Sequence, residues 1–329
     1  MPDLYDVAAI GNAIVDVIAP ADDAFLAANS LDKGAMMLVD AERSASLYGK
    51  MAKGVETSGG SAGNTVAGVA SFGGRAAYLG KVADDALGAT FTREMRAIGA
   101  HFDPAPLVGG PATAVSMINV TPDGQRTMCT FLGASVAFTD VDVIPAVIEG
   151  AKIVYLEGYL FDAEAARRAF AKAAALARAS GRMLALTLSD GFVVDRHRAG
   201  LLAFIESQVD LVFANEVEIK SLFQTDDFDE AMREITARAQ LAAVTRGEAG
   251  STIAANAETW SVPAFPVEKV VDTTGAGDQY AAGFMFGLAR GRSLPECGRL
   301  GSLAAAEVIS HYGPRPQVSL QALAAEKGL

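Results

Sequence analysis

Asp272-Thr273-Thr274-Gly275-Ala276-Gly277-Asp278 runs directly into an apolar helical stretch, Gln279 to Leu288. A glycine-rich turn that enters a helix presents several backbone N–H groups at the positive end of the helix dipole, which makes it an anion site. Gly275 and Gly277 let the backbone approach a phosphate where a Cβ would obstruct. Asp278 is the odd residue in such a site. A carboxylate in the first helical turn repels a phosphate unless it acts on the nucleophile attacking that phosphate. Removing a hydroxyl proton as general base is worth about 10²–10⁴-fold. Donors placed on developing phosphoryl charge contribute roughly 10²–10³-fold each. Taken only as Gly-x-Gly-Asp, the same residues also fit a tight turn followed by a favourable N-terminal helix charge.

Outward from this stretch, short apolar runs alternate with longer helical patterns. Strands are expected at Tyr5–Ile10, Ala76–Val82, Ile153–Leu156, Met183–Leu188, Leu211–Ala214 and Leu241–Thr245. Helical spacing occupies Ala62–Phe72, Ala86–Ile98, Ala163–Ala179 and Asp229–Ala239. This alternation predicts an α/β fold, a doubly wound, mostly parallel sheet with helices on both faces. Around Val15–Val39 and Ala112–Leu132 short alternating segments appear without a long helix, and Pro122-Asp123-Gly124 signals a turn between two strands. These are expected to form a small antiparallel flap, a lid built from insertions at about 13–45 and 109–135 into a single domain spanning 1–329.

Composition narrows the partners. The 329 residues are 51% hydrophobic and carry a formal net charge of −12. Such a field repels nucleic acid and acidic membrane surfaces. The two cysteines, Cys129 and Cys297, are far apart and read as reduced and structural. The three histidines are scattered, and no metal-ligand spacing occurs. The apolar N-terminus is interrupted by Asp6 and Asp16 and lacks a basic region, so it does not read as a signal peptide. A soluble, cytoplasmic protein is expected.

Other segments carry chemistry less specifically. Gly59-Gly60-Ser61-Ala62-Gly63-Asn64 precedes a helix, and Gly11-Asn12-Ala13-Ile14-Val15-Asp16 ends the first strand. Ligands of open α/β sheets sit beyond the carboxyl ends of the strands. An amide such as that of Asn64 both donates and accepts, and a carboxylate such as Asp16 can accept from two adjacent hydroxyls. Asn215-Glu216-Val217-Glu218 follows a strand and fits a plain capping box equally well. Thr245-Arg246-Gly247-Glu248-Ala249-Gly250 follows another strand.

Taken together and in this order, these segments resemble the ribokinase-like (PfkB) kinase family, whose C-terminal motif is D-T-x-G-A-G-D at the start of a long helix. The resemblance runs from Gly11 to about Gly313. It implies that Asp278 is the catalytic base and that Gly275, Ala276 and Gly277 form the anion hole. It also implies that Asn12, Asp16, Gly60, Ser61 and Asn64 hold the acceptor. Asn215 and Glu218, as the family's N-x-x-E motif, would position Mg²⁺ and phosphate. Thr245, Arg246, Gly247 and Gly250 would form the nucleotide loop for ATP. Arg126 on the flap would add a planar fork to the phosphoryl oxygens when the lid closes. A monovalent cation such as K⁺ is implied near Asp272 and Gly313.

Within that family the Asn12-to-Asp16 segment and the run Gly124-Gln125-Arg126 to Phe131-Leu132-Gly133-Ala134 resemble the adenosine kinase branch. A nucleoside needs an apolar slot beside a polar ribose site, and Met36, Leu38, Met128 and Leu132, with Tyr159 for stacking, are the candidates. Methionines at such spacing are also ordinary packing. The expected reaction is phosphorylation of the 5′-hydroxyl of adenosine by ATP. A sugar kinase acting on ribose or fructose is the alternative, and a non-catalytic nucleoside-binding protein, which has no need of Asp278, is a further one. A dehydrogenase needs G-x-G-x-x-G after the first strand, and a P-loop enzyme needs G-x-x-x-x-G-K-[ST]; neither occurs. Flap-to-flap pairing would allow a homodimer.

Overall fold

A computed structural model describes residues 4–256 and 258–329. Its strands are β1 (Tyr5–Ile10), β2 (Ile14–Pro20), β3 (Met36–Leu38), β4 (Val55–Ser58), β5 (Ala76–Leu79), β6 (Ala114–Val120), β7 (Arg126–Phe131), β8 (Ala151–Glu157), β9 (Met183–Thr187), β10 (Leu211–Asn215), β11 (Leu241–Thr245), β12 (Ser251–Ala255) and β13 (Glu258–Val262). The main sheet has the order β13-β12-β11-β10-β9-β8-β1-β5. Its strands pair in parallel from β5 through β11, and β12 and β13 add an antiparallel hairpin at one edge.

The inner strands are apolar throughout because helices cover both faces. Alternate residues feed two cores. Ala8, Ile10, Val154 and Leu156 face the helix Glu164–Ala179, with Phe170 at their centre. Val7, Ala9, Tyr78 and Tyr155 face the helices Ser61–Ser71 and Ala276–Ala289, against Val66 and Phe284. Strand β1 lies between β5 and β8, so the chain winds to one side of β1 and then to the other. A crevice opens at the carboxyl ends where such a sheet changes direction.

A second sheet, of order β3-β7-β6-β2-β4, forms the lid over that crevice. Two expectations change here. The first lid segment reaches Ser58 rather than about 45, because β4 pairs antiparallel with β2. The lid is also mixed rather than antiparallel, since β2 pairs in parallel with β6 and β3 with β7. Its edge strand β3 is only three residues long and partly exposed, so it leaves little edge to pair with other chains. Among the described residues no helix is long and apolar enough to cross a membrane.

Candidate active site

The crevice encloses about 770 Å³. Asn12, Asp16, Gly60, Ser61 and Asn64 line it beneath the lid, together with Met36, Leu38, Met128, Leu132 and Tyr159. At its other end stand Asn215, Glu218 and Thr245, and between the two lies the turn Thr273–Asp278. Residues from eight separate sequence segments therefore converge on one space.

The turn is built by local chemistry. Gly275 caps the helix Ala276–Ala289 with φ +80°, a left-handed conformation that other residues adopt at a cost. A Cβ there would also lie 2.7 Å from Pro314. Asp272 holds the turn from below, accepting from the Thr274 N–H at 3.1 Å, the Thr274 hydroxyl at 2.7 Å and the Gly313 N–H at 3.0 Å. The Ala276 N–H is already given to the Thr273 carbonyl at 3.2 Å. Among the described residues no acceptor takes the N–H of Gly277 or Asp278. The N–H of Gly275 is likewise without an acceptor among the described residues, so the unspent donors span Gly275 to Asp278 with Ala276 alone given up.

Close packing of two helices brings the polar groups together. At Gly68 a Cβ would stand 2.2 Å from Gln279 Oε1 and 2.6 Å from Ala282 Cβ, so this glycine lets Ser61–Ser71 press against Ala276–Ala289. Ser61 Oγ then donates to Asp278 Oδ1 at 2.6 Å, and Asn64 Nδ2 donates to Oδ2 at 3.1 Å. Burial raises the pKa of Asp278 above the usual carboxylate range; the donors Ser61 and Asn64 and the charge of Arg315 pull it back. Burial also pushes Asp16 up to about 7, against the charges of Arg315 and Arg126 and helped by Asp278.

Three expected contacts fall elsewhere. Arg126 does not face the crevice. It pairs with Asp272 at 2.9 Å and lies 5.2 Å over the Tyr312 ring, because the β6–β7 turn docks on the C-terminal loop. Its Nε has no hydrogen-bond acceptor among the described residues. Arg246 turns outward to Glu216 at 2.9 Å and stacks 3.9 Å from the Phe228 ring centre. Gly247 and Gly250 belong to a tight turn that carries the chain away from the crevice, leaving Thr245 as the loop's lining residue. Asn215 and Glu218 form the reciprocal capping box, Asn215 Nδ2 to Glu218 Oε1 at 2.7 Å and Glu218 N–H to Asn215 Oδ1 at 2.8 Å. Burial pushes Glu218 up to about 7, Asn215's backbone N–H pulling it down and Asp190 pushing it up.

The structure adds Glu157, which ends β8 and is 1% exposed. Its Oε1 accepts from the Asn12 N–H at 3.3 Å and Nδ2 at 3.1 Å, and its Oε2 accepts from the Ala62 N–H at 2.8 Å. It clamps the loop carrying Asn12 to the helix carrying Ser61 and Asn64. Burial drives its pKa up to about 7 against these donors. Glu157→Gln has one acceptor oxygen for three N–H groups, and an orphaned buried donor costs about 1–3 kcal/mol. The expected result is an acceptor KM raised roughly tenfold with a smaller change in kcat. Steady-state kinetics checks this, and an unchanged KM would show that the loop stands without the clamp.

Comparison with known proteins places this geometry. The profile of the pfkB family carbohydrate kinases matches residues 6–320. The fold superposes on an adenosine kinase from Sinorhizobium meliloti with TM-score 0.91 and 54% identity, covering 98% of this chain and 99% of that one. It superposes as closely on a "probable sugar kinase protein" from Rhizobium etli, with TM-score 0.92 and 50% identity over 99% of each chain. A cytidine kinase from Thermococcus kodakarensis is 40% identical over 119 residues, which take in 35% of this chain and 42% of that enzyme. With a ribokinase-like sheet, the D-T-x-G-A-G-D turn in its crevice and a family match over nearly the whole length, the chain belongs to the pfkB family and is a kinase.

Proposed function

We propose that this kinase transfers the γ-phosphoryl group of ATP to the 5′-hydroxyl of adenosine, giving AMP and ADP, within a single domain closed by its β lid. The observation that carries the reading is the placement of Asp278. It stands between unspent backbone donors on the nucleotide side and Asn64 and Asp16 on the acceptor side. A hydroxyl held there loses its proton to Asp278 as its oxygen bonds to phosphorus and the bridging bond to ADP breaks. The N–H groups at Gly277 and Asp278 take the charge that gathers on the transferred group. Desolvation raises the pKa of Asp278 above the usual carboxylate range, which suits a group that must accept a proton.

Among the described residues no three His, Cys, Asp or Glu side chains converge as a metal site. This fits Mg²⁺ that arrives with the nucleotide, since that ion keeps several waters and takes phosphate oxygens. Asn215 and Glu218 would hold its water shell, and the ion would neutralise triphosphate charge. Arg126 would reach the phosphoryl oxygens only by leaving Asp272. The resemblance puts a K⁺ ion near Asp272 and Gly313, but both oxygens of Asp272 are already engaged by Thr274, Gly313 and Arg126, so this carboxylate does not fit as a ligand of such an ion.

The adenosine assignment rests on the lid wall. Ile118, Met36, Leu38, Met128 and Leu132 give it an apolar surface, and Tyr159 supplies a ring at the end of β8. One observation favours a sugar instead: Ser116 and Thr130 place two hydroxyls, 3.1 Å apart, on the same wall. A coupled ADP-release assay with MgATP against adenosine, cytidine, ribose and fructose separates the readings. Turnover with adenosine alone supports this proposal. Turnover with a free sugar keeps the chemistry and replaces the acceptor, while tight adenosine binding without ADP marks a binding protein.

A further inference from the structure

We propose that Arg315 is a positioning residue for phosphoryl transfer: it fixes the Asn64 amide so that Nδ2 faces Asp278, and it is the counter-charge for Asp16 and Asp278. The inference rests on the reading of Asp278 as the base. Arg315 lies in Gly313-Pro314-Arg315-Pro316, outside every motif that identifies the family, and its guanidinium reaches inward beside the helix Ser61–Ser71. Nε donates to Asn64 Oδ1 at 3.3 Å, Nη1 donates to Ser58 Oγ at 2.8 Å, and Nη2 lies 3.8 Å from Met95 Sδ.

The chemistry of this chain of contacts runs one way. A guanidinium only donates, so the group facing it must be the amide oxygen. Asn64 is then obliged to turn Nδ2 toward Asp278, where it meets Oδ2 at 3.1 Å. Without Arg315 the amide is free to flip and to set its oxygen against a carboxylate. Gln279 braces the same corner, its Nε2 donating to the Asn64 and Pro314 carbonyls at 2.9 and 3.0 Å. The order of contacts is therefore Arg315, Asn64, Asp278, with backbone tethers that hold the first near the second.

The charge distribution supplies the second part. Among the described residues no carboxylate comes within ion-pair distance of Arg315, which is unusual for an inward-pointing arginine. Instead Asp16 on β2, Glu94 on the helix Ala86–Ala97 and Asp278 act on it from further away. Asp278 in turn feels Ser61 and Asn64, and it stands near Asp16 and near Glu157, Tyr155 and Tyr159 on β8 and just beyond it. Within that neighbourhood Arg315 is the positive charge acting on both Asp16 and Asp278. It serves two carboxylates without masking either from a substrate.

The test compares Arg315→Met, Arg315→Lys and Arg315→Gln with Asp278→Asn, using adenosine and MgATP across pH 5–9. Arg315→Met is expected to lower kcat/KM for adenosine about 10²-fold and to move the acid limb of the kcat profile up by roughly one pH unit. Arg315→Lys, which keeps charge without the planar fork, should hold the limb near wild type while losing activity. Arg315→Gln, which keeps a donor without charge, should move the limb while losing less. ATP affinity by calorimetry should stay within about twofold for all three, since the residue lies on the acceptor side. Profiles that coincide with wild type, with only the melting temperature lowered, would reduce Arg315 to a structural role. Should Arg315→Met not fold, the Lys and Gln variants alone carry the split between charge and orientation, and the absence of that split overturns the proposal. Asp278→Asn reports separately: normal turnover there removes the base itself, whereas lost turnover there with unmoved Arg315 profiles removes only the role of Arg315.

Discussion

Asp278→Asn is expected to lower kcat by about 10³–10⁴-fold, the upper part of the range for a positioned general base, while ATP binding survives. The substitution preserves size and leaves the helix start in place, because Gly275 and Asp272 shape the turn without the Asp278 side chain. It removes the group able to take the hydroxyl proton. It also removes a negative charge from a site meant for phosphate, so the affinity for ATP should hold or rise slightly. Asn64 Nδ2 would then face an amide instead of a carboxylate, and Ser61 Oγ can turn to accept in place of donating. ADP release in the steady state together with calorimetric ATP titration checks both halves. The residual rate should lose its acid limb, since the titrating base is gone. Turnover near wild type would take Asp278 out of the mechanism.

The parts of this enzyme that were legible in the sequence are those whose meaning is local. Strands β1 and β11 stand where their apolar runs place them: β11 is apolar up to its last residue, and β1 carries a single charged residue, Asp6, at its second position. The helix Gly191–Gln208 has no such pattern. Asp195-Arg196-His197-Arg198 breaks its apolar spacing, and His197 departs from helical geometry with φ −122°. The strand β13 is hard to read because it is largely exposed and mostly polar, Glu258-Thr259-Trp260-Ser261-Val262. The lid was visible as alternation, but its pairing was not, since the parallel partners of β2 and β6 lie a hundred residues apart.

The same division runs through the site. The turn Asp272–Asp278 announces itself because its glycines, its threonines and its acid all act within one helical turn. Arg126 and Arg246 look like phosphate ligands in sequence, yet each finds a nearby acid and an aromatic face first. Glu157 and Arg315 went unseen for the opposite reason. Their partners stand 145 and 251 positions away, at Asn12 and Asn64. A lone acid ending an apolar strand, and a lone arginine between prolines, carry no periodicity and no motif. Only the fold gives them something to hold.

Asp16→Ala is the second large effect, and it should appear in the acceptor KM rather than in kcat. Asp16 is 8% exposed, faces the crevice beneath the lid, and receives no hydrogen bond from any described residue. A buried carboxylate left without donors is costly unless a ligand supplies them, and two adjacent hydroxyls of a ribose would do so. Hydrogen bonds to a charged group contribute about 1.5–3 kcal/mol each, so losing two should raise the acceptor KM by roughly 10²–10⁴-fold. The pKa adds a sign. Only the ionised form accepts from both hydroxyls, and burial holds Asp16 up at about 7 in the free enzyme. The wild-type KM should therefore climb as pH falls through that value, whereas Asp16→Asn should give a high KM that is flat across the same range. The limb due to Asp278 belongs to kcat, so the two carboxylates separate in one set of pH profiles. A pH-dependent KM that persists in Asp16→Asn would assign the acceptor's hydroxyls to another group, and Glu157 would be the next to replace.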